Sequence, residues 1–192
     1  VIDSLDLAEM YAYASKKQWE PFTARLVNSV EALSAAGADF AAMAANTAHI
    51  VFDEVERLSP LPMVSIVDET CKFAKSRGCG SVVVFGTAFT MSSGLYTRAF
   101  ERYGIHAFVP GEEEQKAIHG IIFPNLQAGI VLPEEKERIL GIADRLVSTR
   151  KADALVLGCT ELPLIVKDGD LDCLVMDTTR IHVDAILDCI LG

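Results

Sequence analysis

The sequence is short of several things, and each shortage excludes a class of function. No apolar run approaches the roughly 18 residues that a membrane-spanning helix requires, so no membrane segment is expected. The opening stretch, VIDSLDLAEM, has neither the basic start nor the apolar core of a secretory signal. Bases are outnumbered, with 17 Lys and Arg against 27 Asp and Glu, a net charge of −10. That balance argues against nucleic acid or an anionic membrane surface as the main partner, while leaving room for a local pocket that takes a small anion. The 5 cysteines (Cys71, Cys79, Cys159, Cys173 and Cys189) are odd in number and scattered, with no CxxC and no zinc spacing. They read as free thiols in a cytoplasmic protein, not as a disulfide framework. Neither GxGxxG nor GxxxxGK[ST] occurs, which excludes the usual signatures of a dinucleotide or P-loop site. No His and carboxylate set has metal-ligand spacing, so no metal is expected.

What is present is globular composition, 51% apolar and 23% charged over 192 residues, enough chain for a sizeable core. Short apolar runs alternate with longer helical patterns. Phe22, Leu26, Val30 and Leu33 form one helical stripe before Gly37. DFAAMAA (39–45) and Leu61–Val67 read as strands, followed by a helix to about Arg77. SVVVFG at 81–86, rich in β-branched valine and with the look of a buried segment, is the clearest strand. A helix is expected over Met91–Tyr103, a strand over His106–Val109, and a helical stretch over 111–128 interrupted at Pro124. Another helix begins at Pro133 with Glu134 and Glu135 in its first turn. Strands follow at 154–158 and 173–177, and then a last helix. The alternation predicts an α/β fold with parallel sheets.

An internal echo accompanies it. Ala38-Asp39 and Ala152-Asp153 each precede an apolar run, and Ala45 and Cys159 both stand six residues after the aspartate. Two similar halves are therefore expected: residues 1–75 plus 180–192, and residues 76–179.

In parallel sheets ligands bind outside the carboxyl ends of the strands. Three such ends are rich in small polar groups: Asn46-Thr47-Ala48-His49, Gly86-Thr87-Ala88-Phe89-Thr90, and Gly158-Cys159-Thr160-Glu161. Together they can cup a small carboxylate. Cys159 can serve there as nucleophile or base, or simply fill the core. His49 can donate to a substrate or cap local backbone. The other histidines, His106, His119 and His182, read as structural or exposed.

The motifs AANTAHIVFDEV (44–55), FGTAFTM (85–91), VPGEEEQKAIH (109–119), LGCTELPL (157–164) and MDTTRIHVDAI (176–186) run in order through nearly the whole chain. In combination they resemble the aspartate/glutamate racemase family. The resemblance implies two pseudosymmetric α/β domains with the active site between them, and a homodimer. It also implies proton transfer at Cα of a small acidic amino acid without pyridoxal phosphate or any other cofactor. In the family scheme two cysteines face opposite sides of Cα. Here the resemblance implies Cys159 as the thiol, with Thr47 and His49 assisting catalysis and Asn46, Thr47, Thr87, Thr90, Met91 and Thr160 holding the substrate. One position departs from the scheme: Ala45 stands where the first thiol would be. Alternatives follow from that departure. One is a one-cysteine decarboxylase or isomerase of a dicarboxylic acid, and another is a weak or inactive binder of acidic metabolites. The family's opening strand and glycine-rich turn also have no counterpart in these residues, so an upstream segment of about 30 to 40 residues, one strand-turn-helix unit, is expected.

Overall fold

A computed structural model describes all of the residues Val1–Gly192. The chain forms two compact units, Val1–Met43 with Val51–Ser65, and Ala44–Ile50 with Ile66–Gly192.

The first unit opens with α1 (Leu7–Ser15), whose N-cap Asp6 accepts from the backbone N–H groups of Ala8 and Glu9. The stripe expected after residue 20 is seen in α2 (Trp19–Ala35), which buries Phe22, Leu26 and Val30. The strand expected over 39–45 shrinks to β1 (Ala41–Ala42). After α3 (Phe52–Leu58), β2 (Met63–Val64) pairs with β1 in parallel. The strand expected over Leu61–Val67 is cut short, because α4 (Ile66–Ser76) already begins at Ile66. Asp68 and Glu69 in its first turn favour a helix start, where acidic side chains meet the positive end of the dipole.

The second unit is built on β3 (Ser81–Gly86), followed by α5 (Ala88–Ser92), α6 (Leu95–Arg102), β4 (His106–Phe108), α7 (Glu112–Ile122) and α8 (Pro133–Arg150). It closes with β5 (Ala154–Gly158), α9 (Leu162–Ile165), β6 (Leu174–Asp177) and α10 (Thr178–Leu191). The helix expected over Met91–Tyr103 is broken into α5 and α6 at Gly94, which takes φ 72°. The four strands lie in the order β4-β3-β5-β6, and every pairing is parallel.

Both faces of this sheet are covered, which explains its unbroken apolar strands. Side chains alternate along a strand. Val83, Phe85, Leu155 and Leu157 pack into one cluster with Ile118, Ile122, Ile139 and Ala143 from α7 and α8. Val82, Val84, Ala154 and Val156 pack into another with Ile66, Cys71 and Ala74 from α4 and with Tyr96 and Phe100 from α6. Each such buried aliphatic side chain contributes about 1.5–3 kcal/mol relative to exposure. The units divide at other residues than the sequence echo implies: α4 and α10 belong with the four-stranded sheet. No helix is long and apolar enough to cross a membrane.

Candidate active site

The middle strands of the large sheet define the place where a ligand is expected. From β3 the chain moves to β4 on one side, and from β5 it moves to β6 on the other. The order thus reverses between β3 and β5, and ligands bind in the crevice outside the carboxyl ends of such strands. The two strands end in register partners, Gly86 and Gly158. A Cβ on Gly86 would lie 2.9 Å from the Gly158 carbonyl oxygen and 3.0 Å from the Thr90 side chain. On Gly158 it would lie 2.8 Å from the Phe85 carbonyl oxygen and 3.2 Å from the Tyr96 ring. The two strands therefore end in a bare backbone floor, over which Thr90 and Tyr96 close.

On that floor stand three hydroxyls. Thr87 caps α5, its Oγ1 accepting from the Thr90 backbone N–H at 3.2 Å. The Oγ1 atoms of Thr87 and Thr90 are 3.1 Å apart, and Thr47 Oγ1 reaches them at 3.3 and 3.4 Å. The sequence placed these threonines at two different strand ends, and the structure brings them into one triangle. Beside them, the amide of buried Asn46 donates through Nδ2 to Thr178 Oγ1 at 3.1 Å, and Thr178 donates to the Leu157 carbonyl at 2.8 Å. Such a group of donors suits an oxyanion.

Cys159 follows Gly158 directly and is buried. Its Sγ donates to Glu161 Oε2 at 2.9 Å, and the same oxygen accepts from Thr160 Oγ1 at 2.8 Å. Burial above all, then the Glu161 carboxylate, pushes the thiol up to about 12. The backbone N–H groups of Glu161 and Thr160 act in the opposite sense and favour the thiolate. The resting group is thus a protonated thiol with a carboxylate placed to take its proton.

Other expected site residues are used differently. His49 is only 3% exposed. Its Nδ1 meets the Ala45 carbonyl at 2.9 Å, and its Nε2 accepts from the Ile66 backbone N–H at 3.2 Å. The carbonyl can only accept and the N–H can only donate, so the ring is neutral with its proton on Nδ1. Burial holds its pKa down to about 4. Through these two bonds His49 braces residues 45–49 against the start of α4. Met91, expected to touch substrate, is 2% exposed and packs in the core cluster that also holds Phe85, Leu157 and Cys159. Thr160 is exposed and serves Glu161.

Sequence reasoning passed over three participants: Glu161, Thr178 and Tyr96. Glu161 and Thr178 lie within the quoted motifs, three residues and one residue past a strand end, and that position was the available signal. Tyr96 lies in the first turn of α6 with the spacing of a core aromatic, and nothing in the pattern marks it.

A parallel α/β sheet carrying a thiol, a carboxylate and a hydroxyl cluster at its switch point defines a class of small-molecule site. The comparisons name the family. The profile of the Asp/Glu/Hydantoin racemase family matches residues 2–186, and the chain belongs to that family. It is 26% identical over 143 residues to the broad specificity amino-acid racemase RacX of Bacillus subtilis (strain 168), covering 73% of this chain and 60% of that protein. It is 33% identical over 141 residues to the glutamate racemase of Koribacter versatilis (strain Ellin345), covering 69% of this chain and 45% of that one. The chain therefore spans less than two thirds of these curated relatives. Among solved structures, an aspartate racemase homologue from Pyrococcus horikoshii OT3 superposes with a TM-score of 0.89 at 34% identity, over 100% of this chain and 83% of the other.

Proposed function

We propose that the protein is an amino-acid racemase-type isomerase that moves a proton at Cα, with Cys159 as the thiol. The observation that carries this reading is the Cys159–Glu161 pair at the switch point of the sheet, in a chain of the racemase family. The mechanism follows from the donors. Glu161 Oε2 takes the Cys159 proton, leaving a thiolate and a carboxylic acid. The thiolate then removes the proton from Cα. Negative charge spreads onto the substrate carboxylate, where Thr47, Thr87, Thr90 and Asn46 supply hydrogen bonds that strengthen as the charge grows. Return of a proton to Cα completes exchange. His49 acts as a brace, and no step calls on a cofactor.

The substrate is an acidic amino acid, aspartate or glutamate. This choice draws on the glutamate racemase among the relatives. RacX, as a broad specificity racemase, widens the set to be tried.

A second reading is favoured by one residue. Ala45 has no proton to give, and its neighbour Asn46 is tied through Thr178 to β5 just before Cys159. Proton transfer would then occur on one face of Cα only, giving exchange without inversion or a decarboxylation or isomerisation of a dicarboxylic acid.

Proton NMR in D2O with L- and D-aspartate and glutamate, combined with chiral analysis, tests both readings. Exchange with inversion that is lost in Cys159→Ala supports the racemase. Exchange without inversion, converted to racemisation by Ala45→Cys, supports one-face chemistry. Absence of exchange with all four amino acids and with neutral ones refutes the proposal.

A further inference from the structure

Asn46 sits in a buried chain of donors that runs in one direction. Thr178 Oγ1 has one proton and gives it to the Leu157 carbonyl at 2.8 Å, an atom that can only accept. Toward Asn46, 3.1 Å away, Thr178 can therefore only accept, so the amide must present Nδ2 on that side. Its Oδ1 then faces Tyr96, whose Oη donates to it at 2.5 Å. Tyr96 and Thr178 are both sealed from solvent. Burial raises the phenol well above its ordinary range, which keeps it a donor. The backbone beside Asn46 is also held, with the Asn46 carbonyl accepting from His49 N–H at 3.0 Å and the Ala45 carbonyl bound to the His49 ring. With the main chain fixed, the freedom left to Asn46 is a half-turn of its amide, which would exchange a donor for an acceptor.

We propose that Tyr96 and Thr178 are positioning residues that lock the Asn46 amide in one orientation, so that its second N–H is the group offered to a ligand oxygen. This rests on the reading above in one respect, the role of Asn46 toward a carboxylate. The lock itself stands on the hydrogen bonds alone. A flipped amide would point its oxygen where the ligand carboxylate carries its charge and would repel it. Neither residue touches the reacting atoms, and both act through Asn46.

The test uses the full-length protein and its variants Tyr96→Phe, Thr178→Val and Thr178→Ser. In the wild type, nitrogen-edited NMR should show Asn46 side-chain amide protons that exchange slowly with water, with a nuclear Overhauser contact to a slowly exchanging Tyr96 hydroxyl proton. Tyr96→Phe and Thr178→Val should lose that protection, and Thr178→Ser should keep it. In the Cα exchange assay the first two variants should lose roughly tenfold in kcat/KM, the kinetic equivalent of one such hydrogen bond. Much of that loss should appear as a raised KM, a change that a smaller folded fraction would not produce. Absence of the Tyr96–Asn46 contact in the wild type overturns the proposal with no variant needed, and so does unaltered amide protection in Tyr96→Phe, a result that itself shows the variant is folded. If the wild type exchanges no amino acid while the amide is locked as described, the proposed activity fails and the positioning stands.

Discussion

Acid should destabilise this protein through His49 before it titrates most of the carboxylates. Both ring nitrogens of His49 are engaged in the folded state, one with a carbonyl and one with an N–H. Protonation would break the bond from Ile66 and leave a charge in a buried site, 6.3 Å between ring centroids from His182. Burial, the largest cause, moves His49 from its ordinary 6.5 down to about 4. Between those two values the unfolded chain binds a proton that the folded protein refuses, so stability rises with pH across the window. The contribution is complete above 6.5 and is lost as pH falls through 4. At about 1.4 kcal/mol per pH unit, the whole window is worth about 3 kcal/mol, a large fraction of the 5–15 kcal/mol typical of a domain. Urea unfolding followed by circular dichroism at pH 7, 6, 5 and 4.5, at constant ionic strength, measures it. The His49→Gln variant cannot gain the charge. It should be less stable than wild type at pH 7, and the gap should narrow by about 3 kcal/mol toward pH 4. His119, which burial also lowers, contributes equally to both proteins and drops out of the difference. Parallel stability curves for the two proteins over this range would refute the assignment of His49 as a neutral brace.

Other outcomes follow from the site. In Glu161→Gln the carboxylate that raises the Cys159 thiol is gone, so alkylation of Cys159 by iodoacetamide at pH 8, read by peptide mass spectrometry, should speed up while Cα exchange slows. Slower alkylation would show that the Glu161 carboxylate does not raise the Cys159 thiol. Gly158→Ala places a methyl group 2.8 Å from the Phe85 carbonyl oxygen. It should cost roughly 1–3 kcal/mol in urea unfolding, and an unchanged midpoint would mean that the strand ends yield easily.

The large sheet was legible because both its faces are buried. Val82–Phe85 and Ala154–Leu157 are apolar at every position and each run ends at a glycine, and both stretches are strands in the structure over the expected residues. DFAAMAA misled for a related reason. Alanine is apolar but a poor strand former, and pairing extends over only Ala41 and Ala42. At the site, strand ends followed by threonine located the three hydroxyls, since position relative to a strand is a local property. The role of His49 was hidden, because Ile66, which donates to its ring, is 17 residues away. Tyr96 was hidden further still, 50 residues from Asn46. A tyrosine that fills a core and one that orients an amide have the same helical spacing, and only the tertiary contact separates them.

The paired glycines separate two demands that usually compete. Architecture is settled by Gly86 and Gly158, whose lack of side chains is required by the ladder itself. Reactivity begins one residue later, at Thr87 and Cys159, beyond the last register pair of those two strands. A thiol, a hydroxyl or a methyl group placed there leaves the strand pairing beneath unchanged. On the proposed function, the scaffold is a socket for interchangeable proton-handling side chains. A library varied at positions 45, 87, 159 and 161 over intact glycines should return mostly folded proteins, and the same library built over alanines at 86 and 158 should not.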